Sequence, residues 1–534
     1  MGPIERSSPV VVTVPDERLE ISAGYAQFAE DTKARPTVIY TATSDGMLRA
    51  INADTREEVF SFVPASVAHR IGATMQAHST IIDGPPVVED VRTHRDAGNE
   101  RWATILLLPY RGGARGVSAL DVTDPTEPRF LWELDAELDP QLGFTYSTPD
   151  IGNVYLADCF GTGVACERAV AVFGGGAPPS GLTNWSGTNI GRTIYVVDIE
   201  SGRVIRRFTH MRDLEGDVIP ISAPVTGDVA AFDTFAGNLM TRAFVGLVDA
   251  RMLRVDFQSS DPDDWVVDVF FDPDDALGRD DLGGVFFKPT ISLSSENGRA
   301  VVVFGTGNLD DLDRIINEKN FVISVTEAPE YDEDGVLVRI GGDINWALEL
   351  EDDERLTARP RIFERRTYFA TFVAAPDLCD IGGARLYALD YLGATDKRGH
   401  IGTINTTDFY SYLGEDPTTE PDDDENERVP FHDADTYADA DEDAVVIPPK
   451  AIIYALQITR RVSCFVESAS AGSRAGGQDV SLQVTDRGGF VLQVGASAYT
   501  SGTGSVSAQS QVSEVALPEP TATVIPTSWS VIFE

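Results

Sequence analysis

The chain has 534 residues, 42% of them hydrophobic, which is enough to build about three domains or one large domain with additions. Its 85 acidic and 42 basic side chains give a formal net charge of −43, which repels phosphate groups and excludes direct binding to nucleic acid. No run approaches the roughly 18–20 uncharged apolar residues of a membrane helix, so membrane insertion is excluded as well.

The chain opens with an N-terminal segment, 1–33, that precedes the main body of predicted strands. Residues 1–8 lack the charged start and following apolar stretch of a secretory signal. A short apolar strand is predicted at 9–14, and it either completes the main body or lies beside it.

From residue 34 onward, short runs of Val, Ile, Phe, Tyr and Leu alternate with Gly, Pro, Asp and Asn, which is typical of strands. One segment recurs, an alternating apolar strand closed by Asn or Asp at 52, 121, 198, 256 and 390. The intervals are 69, 77, 58 and 134 residues, and because the last is twice 67, a hidden copy without the Asp is placed at 321–327. Another apolar strand and a Gly-containing turn precede each copy. The segment that precedes them in each repeat carries a Pro before its strand, at 83–91, 146–154, 222–229, 287–294 and 358–363.

The repeat therefore contains about four strands over roughly 60–75 residues, a period typical of β-propellers, which protect their sheet edges by radial repetition. The sequence predicts an all-β, quinoprotein-like propeller of six or seven four-stranded blades over 34–495. Six units are visible between 38 and 410, and a seventh would come from 452–464 and 481–495. A stack of sandwich domains is the alternative, although sandwiches rarely repeat one motif so regularly.

Four cysteines occur, and none lies in a CxxC or zinc-binding pattern. Cys159 and Cys166 flank a short stretch with two glycines, which favours a small loop closed by a disulfide and an oxidising compartment. Two reduced thiols are the alternative. Cys379 and Cys464 are candidates for a second disulfide, but the sequence does not determine the pairing.

The end of the chain differs in composition from the repeats. Residues 415–443 hold 14 acidic side chains and one Arg, which predicts a solvated acidic surface loop inserted into the propeller. Residues 496–520 are rich in Gly, Ser, Ala and Thr and are interpreted as a flexible linker. The remaining tail is apolar again at 524–534 and is expected to form a strand that docks.

Several phrases of the repeats occur in the same order in one known family. They are ARPTVIYTATSDGMLRAINAD at 34–54, DGPPVVEDV at 83–91, RGGARGVSALDVTDP at 111–125, GFTYSTPDIGNV at 143–154, VVFGTGN at 302–308 and FATFVAAPDLCDIGGARLYALD at 369–390. In combination they resemble PilY/PilC-type proteins, the tip-associated adhesins and assembly factors of type IV pili. The resemblance covers about 35–410 of the chain.

The resemblance implies a non-enzymatic, extracellular propeller at the pilus tip or the bacterial outer surface. Its partners would be minor pilins, bound in part by strand addition through the tail, together with a host or abiotic surface. The chain would then be a mature piece or an isolated domain of an exported protein. Two alternatives stay open: an extracellular adhesin or scaffold propeller unrelated to pili, and a quinone-dependent dehydrogenase-like propeller. The second lacks support because the chain has neither a vicinal Cys pair nor regular Trp motifs.

Calcium is the only cofactor that the resemblance implies, and the family's calcium loop corresponds to 226–238. The residues that match it here are Asp228, Asp233 and Asn238. The alternation of aspartates that gives Ca²⁺ its six to eight oxygens is lost, so this loop is a degenerate candidate metal site. Other acidic runs, at 272–284, 308–313, 332–335 and 439–443, are interpreted as solvated loops. The six histidines form no HxH or HExxH spacing, and no catalytic residues are predicted.

Overall fold

The computed structural model describes residues 2–15, 24–74, 79–96, 99–233, 239–294, 297–308, 319–332, 334–363, 365–373, 383–393, 451–460, 490–502 and 505–516. The chain divides into two compact units. The first comprises 1–311, 316–355 and 395–403, and the second comprises 312–315, 356–394 and 404–534. Within the described ranges, no helix combines the length and the apolar character that crossing a membrane requires.

Helices are short and few among these residues, which are mainly strands. They are α1 (Tyr25–Thr32), α2 (Ile71–Thr74) and α3 (Pro273–Leu277). The buried face of α1 places Tyr25 edge-on against Trp102 of the second sheet, with ring centroids 4.8 Å apart. The Tyr25 hydroxyl donates to Asp90 at 2.7 Å, so α1 is fixed on the sheet by both apolar and polar contacts.

The first sheet is antiparallel in the order β1-β2-β3-β4 and includes a strand from the N-terminal segment. Its strands are β1 (Val10–Val12), β2 (Val38–Thr43), β3 (Met47–Asn52) and β4 (Glu58–Phe62). Val10 is opposite Tyr40, and Val12 is opposite Val38. The short strand predicted at 9–14 is therefore part of this sheet, where it covers the open edge of β2, and the boundary at 34 stays a prediction.

The second and third sheets are four-stranded antiparallel meanders, each from one continuous stretch of chain. The second sheet contains β5 (Val87–Asp96), β6 (Asn99–Pro109), β7 (Gly116–Asp121) and β8 (Arg129–Asp135). The third contains β9 (Asp150–Leu156), β10 (Cys166–Gly174), β11 (Ile194–Asp198) and β12 (Val204–Phe208). As predicted, β5 and β9 each begin directly after a proline, which has no N–H to donate to a ladder.

The fourth and fifth sheets depart from the four-strand plan in different ways. The fourth contains β13 (His210–Arg212), β14 (Val218–Pro220), β15 (Ala230–Asp233), β16 (Met240–Gly246), β17 (Met252–Asp256) and β18 (Val266–Phe271), in the order β14-β13-β18-β17-β16-β15. The fifth contains β19 (Thr290–Leu293), β20 (Ala300–Gly305), β21 (Phe321–Tyr331) and β22 (Leu337–Glu349). The β13–β14 hairpin thus extends the fourth sheet at its outer edge, and β21 and β22 are unusually long.

Among the described residues of the first unit, four apolar clusters are each shared by two sheets that follow one another in the chain. The first and second sheets meet through residues such as Tyr40 and Leu106, and the second and third through Leu107 and Phe173. The third and fourth, and then the fourth and fifth, meet in the same way. Face-to-face packing of consecutive antiparallel sheets is the arrangement of propeller blades.

The second unit continues the strand pattern after β23 (Glu354–Leu356), whose residues lie on both sides of the division between the units. One sheet contains β24 (Arg361–Phe363), β25 (Arg366–Val373) and β26 (Gly383–Asp390), and the other contains β27 (Ala451–Arg460), β28 (Phe490–Gly502) and β29 (Ser505–Ala516). The flexible linker predicted at 496–520 is wrong for 496–502 and 505–516. There, Gly502 pairs with Ser505 at the closed end of a long hairpin. The acidic insert at 415–443 and the tail after 516 lie outside the described residues, and a count of six or seven blades stays a prediction.

The recurring Asn or Asp closes a turn in every repeat that carries it. The predicted alternating strands are β3, β7, β11, β17 and β26, and each is the third strand of its repeat. The closing side chain accepts a hydrogen bond from a main-chain N–H two or three residues later, at 2.8–3.1 Å, in Asn52, Asp121, Asp198, Asp256 and Asp390. The repeat is therefore visible in the sequence because an Asx turn follows the third strand.

Candidate functional site

The predicted disulfide between Cys159 and Cys166 is confirmed, with a Cα–Cα distance of 5.5 Å. It closes the turn between β9 and β10. Phe160 within this loop has a φ of +56° and lies between two guanidinium groups, with Arg168 5.2 Å and Arg203 4.8 Å from its ring centroid. The loop is thus held at both ends. Cys379 and Cys464 lie outside the described residues.

A polar cluster forms where the loops that precede β5, β9, β15 and β19 meet, and we call it the loop-face cluster. Its charged members are Asp83, Arg111, Asp150, Asp228 and Lys288. On one side, Arg111 donates to Asp83 at 3.1 Å and lies over the ring of Tyr146, 4.7 Å from the centroid. Asp83 also accepts from the N–H of Gly113 at 3.2 Å, so it ties the loop before β5 to the β6–β7 turn.

The other side of the loop-face cluster joins the third, fourth and fifth sheets. Lys288 forms an ion pair with Asp150 at 2.8 Å, and Asp150 accepts from the N–H of Ala231 at 2.7 Å. Asp228 accepts from the N–H of Thr148 at 2.7 Å. Each of these contacts joins loops that lie far apart in the sequence, so the cluster fixes the loops of neighbouring blades to one another.

Burial affects the protonation of one member of the loop-face cluster, Asp228. Burial raises the pKa of the Asp228 carboxyl, and its hydrogen bonds with Thr148 together with the charges of Lys288 and Arg111 oppose this rise. The cluster pairs two cations with three carboxylates. It can therefore hold loops in place without presenting a strong net charge to a ligand.

The candidate calcium ligands are only partly brought together. Asp228 lies in the loop before β15 and is occupied by the main chain of Thr148, whereas Asp233 is the last residue of β15 and pairs with Met240. Asn238 lies outside the described residues. Across the described part of the chain, no group of three or more His, Cys, Asp or Glu residues is arranged to hold a metal ion. Calcium binding by Asp228, Asp233 and Asn238 therefore stays a prediction.

Two other acidic runs have local structural roles. Asp332 accepts hydrogen bonds from the N–H groups of Asp334 and Val336 in the β21–β22 turn, and Asp272 caps α3 by accepting from the N–H of Asp274. These carboxylates therefore stabilise a turn and a helix end.

Sequence reasoning missed most of the loop-face cluster and a buried ionic network near the outer edge. In that network, Glu327 accepts from Arg254 at 2.8 Å and forms an ion pair with Arg242 at 3.1 Å. For the cluster, one signal was present, because Asp83, Asp150, Asp228 and Lys288 each adjoin the Gly or Pro that precedes a first strand. For the network no signal was available, since its members come from distant strands.

Comparison with known proteins places these features in a family. A family model described as the PilY1 beta-propeller domain matches residues 2–326, which is more than half of the chain. The type IV pilus biogenesis factor PilY1 of Pseudomonas aeruginosa is 29% identical over 341 residues, covering 58% of this chain and 26% of that protein. A PilY1 homolog of Xylella fastidiosa is 35% identical over 160 residues, covering 28% of this chain and 13% of that protein. The chain thus spans about a quarter or less of the length of these relatives.

A solved structure supports the fold. The crystal structure of the C-terminal domain of Pseudomonas aeruginosa PilY1 matches with a TM-score of 0.52 at 19% identity, covering 72% of this chain and 85% of that chain. Together with the family model and the succession of antiparallel sheets, this match confirms the predicted all-β propeller.

Proposed function

Because the chain belongs to the family of PilY1 β-propeller domains, we propose that it is a non-enzymatic propeller that supports type IV pilus biogenesis. The observation that carries the proposal is the family match over 2–326, which spans the first four sheets and enters the fifth. The names of the curated relatives, which describe biogenesis factors, support the same role.

In its finer form, the proposal places the chain outside the cell, at the pilus tip, in contact with minor pilins and with a host or abiotic surface. The Cys159–Cys166 disulfide supports an exported protein, since disulfides persist in oxidising compartments. The loop-face cluster supports a binding role over a catalytic one. Its carboxylates accept from main-chain N–H groups or pair with Arg111 and Lys288, so they serve to hold loops in place.

The test is a count of surface pili in a strain that lacks the gene for this chain, with pilus retraction left active. We expect pili to be lost and to return when the intact gene is supplied. Normal pilus numbers would contradict the assembly role. Normal pili with reduced attachment to surfaces would favour an adhesin propeller unrelated to assembly.

A second experiment addresses the partner. The purified chain is used to capture purified minor pilins, in parallel with a chain lacking 521–534 and a chain in which these 14 residues are scrambled. We expect both altered chains to lose binding, because their tails no longer present the apolar strand. Unchanged binding by the deleted chain would refute strand addition through the tail.

A further inference from the structure

Exposed apolar side chains concentrate on one part of the first unit. Eleven large hydrophobic residues are exposed among the described residues, and four of them belong to the β13–β14 and β21–β22 hairpins. They are Val218, Tyr331, Val336 and Leu337, with exposed fractions of 70%, 60%, 60% and 47%. We call this group the rim patch. Single exposed apolar residues are normal on a protein surface, whereas a group of four indicates a contact surface.

The two hairpins that form the rim patch lie directly against each other. Arg212 of β13 donates to the carbonyl of Val338 in β22 at 2.8 Å. The turn residue Gly216 approaches the same valine so closely that an added Cβ would lie 2.7 Å from its Cγ1. Tyr331 and Leu337 are opposite each other in the β21–β22 ladder. The two hairpins that carry the rim patch are therefore in direct contact.

Buried ion pairs hold this surface in place. Arg212 donates to both carboxylate oxygens of Asp268, at 2.5 and 2.9 Å, and Asp268 is fully buried. Arg339 pairs with Glu330 and donates to the carbonyl of Val269 at 2.8 Å. Because both hairpins are anchored to β18 in this way, a partner would lose little conformational entropy in ordering them.

The rim patch is bordered by negative charge. The exposed acidic side chains on the same two turns are Glu215, Asp217, Asp332 and Asp334. The two neighbouring cations, Arg212 and Arg339, are already paired with Asp268 and Glu330. A surface of this kind complements a partner that is both apolar and basic.

The edge of the sheet adds a constraint on shape. Within the described residues, β14 is the outermost strand of the fourth sheet and pairs only with β13 on its inner side. An unpaired edge can accept an additional extended strand. We propose that the rim patch docks an extended segment of another protein in which apolar and basic residues alternate. A second copy of this chain is disfavoured because two acidic surfaces repel each other, and the proposal does not depend on a role in pili.

The test uses the full chain and a labelled peptide of seven residues, alternating Lys and Val, with binding followed by fluorescence anisotropy at physiological salt. Because a chain of net charge −43 attracts any cationic peptide, the readout is the difference between two matched variants. One is Tyr331→Ser/Val336→Ser/Leu337→Ser in the patch. The other is Leu138→Ser/Val164→Ser, whose side chains are 71% and 65% exposed elsewhere.

We expect the patch variant to bind the peptide about tenfold more weakly, since burial of two or three apolar side chains is lost. The control variant should stay within about twofold of the unaltered chain. A second peptide carries Pro at alternate positions and therefore cannot pair with a sheet edge. It should bind the unaltered chain no more tightly than it binds the patch variant. Equal affinity of the patch and control variants would overturn the proposal.

Charge and self-association provide a second arm. One variant neutralises three carboxylates beside the rim patch, Glu215→Gln/Asp217→Asn/Asp334→Asn. A control variant neutralises three other carboxylates, Glu127→Gln/Glu137→Gln/Asp275→Asn. The first variant should slow peptide association, and weaken the dependence of the association rate on salt, more than the control does. Equal effects of the two sets would contradict the proposed charge complementarity. Sedimentation analysis compares the unaltered chain with the patch variant, each without peptide. We expect no dimer that is present in the unaltered chain and lost in the patch variant. Such a dimer would identify a second copy as the occupant and overturn the proposal.

Discussion

The interface between the third and fourth sheets differs from that between the fourth and fifth. The first is an apolar cluster that includes Leu253 and Trp265. The second has an apolar centre as well, but toward the outer edge it also buries an ionic network in which Glu327 pairs with Arg254 and Arg242. Two interfaces between repeats of one kind are therefore stabilised by different physical means.

The difference shows where polar contacts fix the register between neighbouring sheets of this repeat architecture. Apolar clusters tolerate small shifts between sheets, whereas a buried carboxylate shared by two guanidinium groups requires one register. The network joins the fifth sheet to the fourth sheet, which carries the additional β13–β14 hairpin. We infer that it fixes the fourth and fifth sheets in the relative position on which the rim patch depends.

The largest expected effect comes from Glu327→Ala. Without this carboxylate, the almost fully buried Arg254 and its neighbour Arg242 lose their shared partner, and the free energy of unfolding should fall by about 3–5 kcal/mol. Thermal unfolding monitored by circular dichroism measures the loss. Glu58→Ala, which removes a surface carboxylate paired with Arg49, is the matched control and should change stability little. Recovery in Arg242→Met/Arg254→Met/Glu327→Leu would show that an apolar interface can replace the network.

Leu253→Ala tests the apolar interface between the third and fourth sheets. Leu253 is fully buried, and its truncation leaves a cavity that should cost roughly 3 kcal/mol. The same unfolding measurement checks the value, with the exposed Val164→Ala as the control. A loss below about 1 kcal/mol would mean that the cluster relaxes around the cavity and that the two interfaces differ more than their burial indicates.

Removal of the disulfide tests the edge of the third sheet. Cys159→Ser/Cys166→Ser opens a short loop and should lower the free energy of unfolding by about 2 kcal/mol. Reduction of the unaltered chain with dithiothreitol should lower the unfolding temperature as much as the double variant does. If reduction has no effect while the double variant does, the loss arises from the serine side chains and not from the cross-link.

The smallest effect is a pH dependence in the first sheet. Burial alone would raise the pKa of Asp45, but hydrogen bonds from Thr43, from the N–H of Gly2 and from Arg49 hold it below its usual value. A lowered pKa in the folded state means that the carboxylate stabilises the fold above the pKa of the unfolded chain. This stabilisation is lost as pH falls through the folded value.

Asp45→Asn should therefore lower stability by less than about 1 kcal/mol at pH 7 and by nothing at a pH below the folded pKa. Unfolding temperatures of both proteins across the acidic range give the measurement. A constant difference at every pH would show that the variant acts through packing and not through the charge of Asp45.

The sequence predicted the blades better than the contacts between them. The third strands were recognised because each ends in an Asx turn, a local feature that Asn52 or Asp198 forms with the main chain nearby. The β13–β14 hairpin was missed because it lies outside the repeat period, and Glu327 was missed because its partners are 73 and 85 positions away in the chain. The linker prediction failed because it was based on composition, and 505–516 is polar overall. The main chain of this segment nevertheless pairs with β28 along its whole length.

The candidate site was predicted only in part. Asp228 was singled out through the family's calcium loop, and the structure places it in the loop-face cluster, bonded to Thr148. The patterns around Lys288 and Arg111 did not indicate a charged cluster, since the partners of these side chains lie on loops that only the fold brings together.

The short ladder between β1 and β2 affects how the first sheet responds to tension. Strand β1 is held to β2 by only three opposed residue pairs, whereas β21 and β22 share eleven. A load applied from the N-terminal side first meets the hydrogen bonds of Gly2, Pro3 and Ser7 to the β2–β3 region, and then this short ladder, before it reaches any other strand. Release of this ladder would uncover the edge of β2 and leave the four inter-sheet apolar clusters largely intact, so that the first sheet yields before the rest of the unit.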